Sequence, residues 1–262
     1  MSNNIRMSRI FILLFSIGLL ASCDKTSFPQ EVKAPIDHVI WDELLQVHVD
    51  TNGWVDYKGL AKDKEKLNDY LRLLSENHPN KNWSEAQRKA YWINAYNAFT
   101  IKLIVDHYPV AGIKEIKKGI PFLNSVWDID LIDIQGMSYT LNDIEHQILR
   151  KRFNDPRIHF GINCASYSCP RLHYRAYDPK HLDIQLEQAA VDFINDTKRN
   201  VVKSDELKLS KIFSWFGKDF KRGDMTLKKF INKYAIEPVG AEVEIEFLDY
   251  DWTLNESRNK VI

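Results

Sequence analysis

The stretch from Ser84 to Tyr108 constrains this 262-residue chain more than any other. Ser84 followed three residues later by Gln87 is a capping box, in which side chains satisfy the free N–H groups at a helix start. Pro109 ends the run, because proline brings no N–H and clashes with the preceding turn. The spacing therefore predicts one long helix around which the rest must pack. Ala90, Asn94, Asn97, Ile101, Ile104 and Tyr108 fall on one stripe, at alternating spacings of four and three. Two amides thus interrupt an apolar face. A buried amide left unpaired costs about 1–3 kcal/mol, so Asn94 and Asn97 need partners. Those partners are either the backbone of an adjacent loop, fixed in shape by the amides, or a catalytic loop or ligand.

Shorter elements surround this helix. Ile36 to Val49 carries a helical stripe of Ile36, Ile40, Leu44 and Val47. Asn52-Gly53 between Val49 and Val55 is a hairpin-turn signal. A helix is expected over 63–77, two short strands over 127–139 around Gln135-Gly136, and a helix over about 141–153 behind the capping pair Thr140 and Asp143. His159 to Asn163 reads as a short strand. Asp178-Pro179 reads as an N-cap and first helical residue, opening a helix to about Asn195. A small hairpin around Ser204-Asp205, helices near 210–220 and 226–235, and a closing strand region over 243–254 complete the chain. Helices and strands mix without a βαβ rhythm, so the expected fold class is α+β: one helix-rich domain with short antiparallel strands.

Composition adds exclusions. Apolar residues are 44% and charged residues 27%, with 36 basic and 36 acidic side chains. That excludes a disordered chain and a strongly basic nucleic-acid binder. The balance hides an uneven start. Arg6 and Arg9 precede an apolar run from Ile10 to Leu20, long enough for a signal-peptide core and short for a membrane span. Leu20-Ala21-Ser22-Cys23 resembles the bacterial lipobox, which implies cleavage before Cys23 and acylation of that residue, palmitate included. Expected boundaries are a signal peptide over 1–22, a lipidated tether over 23–36 and the domain over 37–262. Removing the leader takes away Arg6 and Arg9 and no acid, leaving 34 basic against 36 acidic side chains. The expected location is the bacterial cell envelope, with the body outside the cytoplasm and the membrane as partner through the N-terminal lipid.

Two further features resist a purely structural account. Glu145 lies between Leu141, Ile148 and Leu149 on its helix, with His146 on the flank. A desolvated carboxylate is costly unless paired, and Arg88, Arg157 and Arg171 are the partners considered. The second feature is the run His159 to His173, which holds Cys164 and Cys169. Outside the cytoplasm two such cysteines can close a disulfide. Alternatively, Cys164 is a nucleophile activated by His159 or His146, with Glu145, Asn94 or Asn97 orienting the imidazole. The pattern H-x4-C-x4-C-x3-H also suits zinc through His159, Cys164, Cys169 and His173. A redox-active cysteine pair is the fourth reading. His38, His48, His78 and His107 read as surface or capping residues, and Trp215, Phe216 and Phe220 as core. There is no phosphate-binding loop, dinucleotide fingerprint, nucleophile elbow or zincin motif, so no cofactor is called for.

Ala90 to Ala98, Leu141 to Arg150 and His159 to Pro170, in this order, resemble the domain-of-unknown-function family 547, found in bacteria and plants. The likeness extends to Val49–Leu60, Ile212–Phe220 and Tyr250–Asn255. It implies that Trp92, Asn94, Asn97, Glu145, His146, His159, Cys164 and Cys169 occupy the family's characteristic positions, with His173 outside the pattern. The family's name concedes that its activity is not established. Some plant relatives carry a glutaredoxin-like domain, to which nothing in this chain corresponds. The sequence thus leaves two functional readings. One is a thiol-dependent hydrolase or acyltransferase in which Cys164 attacks a small-molecule or peptide substrate. The other is a non-enzymatic envelope binding protein locked by a Cys164–Cys169 disulfide, or a redox or metal-binding protein.

Overall fold

In the computed structural model, residues 33–117 and 125–257 are described. The expected signal peptide and Cys23 lie outside them, as does all of the tether but 33–36. The chain runs through α1 (Val39–His48), α2 (Tyr57–Lys62), α3 (Lys64–Ser75) and α4 (Glu85–His107). The hairpin β1 (Ile132–Ile134) and β2 (Met137–Tyr139) follows, then a π-helical segment (Asp143–Leu149) running into α5 (Arg150–Arg152). Next come α6 (Ile158–Gly161), α7 (Leu182–Ile194), β3 (Val201–Val202), β4 (Leu207–Leu209), α8 (Lys211–Trp215), α9 (Leu227–Tyr234) and β5 (Ile245–Phe247). Helix-rich, with two small sheets, the fold is α+β.

The capping box is formed as expected: the Gln87 N–H donates to Ser84 Oγ at 3.1 Å, and the Ser84 N–H donates to Gln87 Oε1 at 2.7 Å. The helix it opens is buried on nearly every side from Ala90 to Val105, where a single stripe was expected. Such a helix is a central rod. On one side lie α2 and α3, with α1 against α3; Trp41 stacks on Tyr70 with centroids 5.6 Å apart, and Tyr91 donates its hydroxyl to the Leu74 carbonyl. The π-helical segment packs on another side. A second cluster gathers Phe160, Phe193, Phe213, Phe220 and Phe230 from α6 to α9.

Several local expectations need correction. Residues 158–161 form a helical turn instead of the expected strand, because Asp155-Pro156 starts it: Asp155 Oδ1 accepts the Arg157 N–H at 3.1 Å. The 243–254 region supplies only β5, and β5 runs parallel to β4. The 35 residues between them include α8 and α9, long enough for the crossover that parallel pairing requires. The β1–β2 and β3–β4 pairs are antiparallel as expected. His38 and His48 are buried, bonded to the Tyr70 hydroxyl and the Asp63 carboxylate respectively. Trp215 is 48% exposed instead of core.

Candidate active site

Both asparagines of α4 hold backbone. Asn97 Nδ2 donates to the Gly161 carbonyl at 2.9 Å, and its Oδ1 accepts the Asn163 N–H at 2.8 Å. Asn94 clamps Tyr177 in the same two-way manner, at 2.8 and 3.0 Å. A primary amide matches one carbonyl and one N–H of a backbone segment, so both asparagines are engaged by protein backbone through nitrogen and oxygen and act as positioning residues. From the Asn97 anchor the chain turns back on itself. Asn163 donates to the Pro170 carbonyl at 2.7 Å and accepts the Ala165 N–H at 2.8 Å, and Ala165 takes a left-handed φ of 61°. The 250–256 segment closes the loop from outside, with the Tyr167 N–H on the Thr253 carbonyl and the Asn255 N–H on the Ala165 carbonyl.

This loop brings two thiols together. The Cys164 and Cys169 sulfurs are 3.1 Å apart, in hydrogen-bond contact and unbonded. The expected disulfide is therefore not what the structure holds. Cys169 is buried and its sulfur accepts the Cys164 N–H at 3.0 Å. Cys164 is half-buried, with Ser166 Oγ at 3.1 Å and the Tyr250 hydroxyl at 3.4 Å. The Cys169 thiol, followed by the Ser166 and Tyr250 hydroxyls, outweighs burial and holds the Cys164 thiol down, to about 6. Burial, together with the neighbouring Cys164 sulfur, pushes Cys169 well above the ordinary thiol range. The pair thus favours one thiolate and one thiol.

Glu145 and His146 enter from the π-helical segment. There the Arg150 N–H reaches back five residues to the Glu145 carbonyl, a wider turn that is frequent at functional sites. Glu145 is paired with none of the expected arginines; the Tyr96 hydroxyl donates to its Oε2 at 3.2 Å. Burial, and next the charge of Cys164, raise its carboxyl to about 7, against the pull of the Tyr96 bond. His146 Nδ1 accepts from Arg150 Nη1 at 3.1 Å. Burial, then the Arg150 charge, push its pKa down, which favours a neutral ring carrying its proton on Nε2.

His159 is held differently. Its Nε2 bonds Asp219 Oδ2 at 2.8 Å, while Arg150 Nε donates to the same oxygen at 2.6 Å and Phe216 stacks on the ring at 4.2 Å. Burial pulls the His159 pKa down despite the Asp219 carboxylate. Desolvation acts against ionised Asp219, yet the His159 and Arg150 bonds together hold it well below the usual carboxylate range. Neither imidazole hydrogen-bonds Cys164; the sulfur's partners among the described residues are Ser166, Cys169 and Tyr250.

Glu145, His146, His159, Cys164 and Cys169 nonetheless line one cavity of about 190 Å³. Its other walls are largely aromatic: Tyr96, Trp127, Trp215, Phe216, Tyr250 and Trp252. His173 is elsewhere, lining a different cavity with its Nδ1 on the Arg175 carbonyl. The four-ligand zinc arrangement is therefore not assembled, and no group of three potential ligands is gathered among the described residues. Sequence reasoning missed Asp219, Ser166 and Tyr250. All three lie in blocks that carry the family resemblance, Ser166 in 159–170, Asp219 in 212–220 and Tyr250 in 250–255, so the resemblance was the signal that could have found them.

Residues 80–194 match the model of a family described as "Protein of unknown function, DUF547". The match supports DUF547 over that segment, which contains α4, Glu145-His146 and both thiols. The blocks at 49–60, 212–220 and 250–255 lie outside it. No curated protein and no solved structure matches the chain.

Proposed function

We propose that this chain is a lipid-anchored envelope protein whose domain exchanges thiols and disulfides through Cys164 and Cys169. The observation that carries this reading is the pair of sulfurs 3.1 Å apart with opposite acidities, beside a buried carboxyl raised to about 7. An attacking thiol works best when its pKa is near ambient pH, and a resolving thiol is best kept protonated until needed. Anchoring through Cys23 would place the pair in an oxidising compartment, where disulfides persist. The lipobox sequence supports that half of the proposal.

The Cys164 thiolate attacks one sulfur of a substrate disulfide; a Cys164–substrate S–S bond forms and the substrate's own S–S bond breaks. The departing sulfur takes the Glu145 proton. Cys169 gives its proton to the Glu145 carboxylate and attacks the Cys164 sulfur. The second substrate half leaves as thiolate and is protonated by solvent. The substrate ends reduced to two thiols and the chain ends as the Cys164–Cys169 disulfide. A carboxyl near 7 suits such two-way proton transfer.

Acyl transfer, the other chemistry open to Cys164, has less support in this geometry. It needs free donors for an oxyanion, yet the Cys164 N–H is taken by Cys169 Sγ and the Ala165 N–H by Asn163.

Oxidised glutathione tests the reading. Under this account the Cys169→Ser chain accumulates a glutathione adduct on Cys164, whereas the wild-type chain passes through it to an internal disulfide. Absence of an adduct on Cys164 in the variant would refute it.

A further inference from the structure

A second cavity, of about 230 Å³, shares the wall made by Pro170 with the first. Unlike the thiol cavity it is lined by charge: Arg171, Lys198 and Arg199 against Asp192 and Asp196. The Asn52-Gly53 turn presses on Arg171 so closely that a Cβ at Gly53 would lie 2.4 Å from the Arg171 Cβ. Gly53 also has φ +80°, so both space and backbone demand glycine there.

The two arginines are satisfied unequally. Arg171 pairs with Asp192 and donates Nη1 to the Thr51 carbonyl at 3.3 Å. Arg199 pairs with Asp196 through Nη1 alone. Its side chain is only 9% exposed, and its Nε is buried with no hydrogen-bond partner among the described residues. Nη2 likewise has no protein partner among them. The Tyr167 ring lies beside the guanidinium, 5.5 Å from its carbon. Nε–H and Nη2–H form the planar side-on fork that a carboxylate accepts in two parallel bonds. Leaving a buried guanidinium edge unpaired is expensive, and Arg199 is one of the residues that line the cavity.

We propose that this second cavity binds the carboxylate of a small organic acid, received side-on by Arg199. Lys198 and Arg171 add positive charge to the same lining, and Asp192 and Asp196 hold the two guanidiniums in place. The proposal is independent of the thiol chemistry, since none of these residues touches either sulfur.

The Arg199 Nε–H resonance of the full ¹⁵N-labelled chain reports directly on the fork. It is assigned by correlation to the Arg199 backbone and, where Arg199→Lys folds, by its loss in that variant. Acetate and succinate are expected to move this resonance saturably, in wild-type and Cys164→Ser chains alike, while chloride at equal ionic strength leaves it in place. Arg199→Lys keeps the charge but loses the fork, and should weaken carboxylate binding about tenfold or more. A resonance indifferent to both acids overturns the proposal. So does inorganic phosphate binding more tightly than either, which would assign the site to a tetrahedral anion, and so does undiminished affinity in Arg199→Lys.

Discussion

The Arg157 cluster, which reaches from buried Asp155 to exposed Asp183, and the thiol cavity are both polar groupings, and they hold their protons in opposite ways. Around Arg157 every charge meets its complement: Asp155 at 2.9 Å, Asp183 at 2.7 Å and Glu187 at 2.9 Å, with Lys89 on Asp155 at 3.0 Å. Bonding to Asp155 makes Arg157 a weaker acid, and Asp155 stays ionised despite its burial. Around Cys164 two groups move away from their ordinary charge states, Glu145 and Cys164, and the others are held neutral. Glu145 and Cys169 are pushed toward their protonated forms, His146 and His159 toward neutrality, and Cys164 toward thiolate. The first arrangement stabilises a fold; the second keeps protons ready to move. Counting charged residues would have picked out the wrong cluster, whereas displaced protonation in a cavity marks the site.

The contrast is open to attack by mutation. Cys164→Ser should slow exchange with oxidised glutathione about a thousandfold or more, because a hydroxyl does not attack disulfides at neutral pH; stability in urea should barely change. Arg157→Ala should do the reverse. Leaving Asp155 buried with only Lys89 should cost about 3 kcal/mol in urea unfolding, while the alkylation rate of Cys164 stays as in wild type. A large loss of reactivity in that variant would merge the two regions that are separated here.

Glu145→Gln makes a subtler cut. The folded chain keeps the Glu145 proton to about pH 7, and the unfolded chain only to about 4.5. Between those values the folded state binds more protons, so wild-type stability should fall as pH rises from about 4.5 to 7, by on the order of 3 kcal/mol. The amide introduced by the substitution cannot ionise, so that fall should flatten in urea midpoints measured across the range. Asn97→Ala has the smallest effect in this series. Releasing the Gly161 carbonyl and the Asn163 N–H should cost about 2 kcal/mol, and the rate of Cys164 alkylation should change as the loop loosens.

What could be read in advance was mostly local. The capping box at Ser84, the turn at Gln135-Gly136 and the hairpin over 201–209 are written in neighbouring residues, and the structure forms them. The two amides of α4 were legible as an anomaly because they break an apolar stripe. Their partners were not, since Gly161 is 64 residues away from Asn97 and Tyr177 is 83 from Asn94. Residues 158–161 form a helical turn where a strand is expected, because Asp155-Pro156 opens the turn just before them. Asp219 lies in the 212–220 block that carries the resemblance, but its role was not legible there: it depends on α8 and the turn after it folding against α6, which brings Asp219 to His159 across 60 residues.

The central claim is that Cys164 and Cys169 form one redox couple. A titration of the full chain across glutathione redox poise, quenched by alkylation and mapped by peptide mass spectrometry, tests it most directly. The account predicts a single two-electron transition, with a cross-linked peptide joining Cys164 to Cys169 on the oxidising side and both residues alkylated on the reducing side. Cys164 and Cys169 remaining separately alkylated at every poise, with no cross-linked peptide, would contradict it.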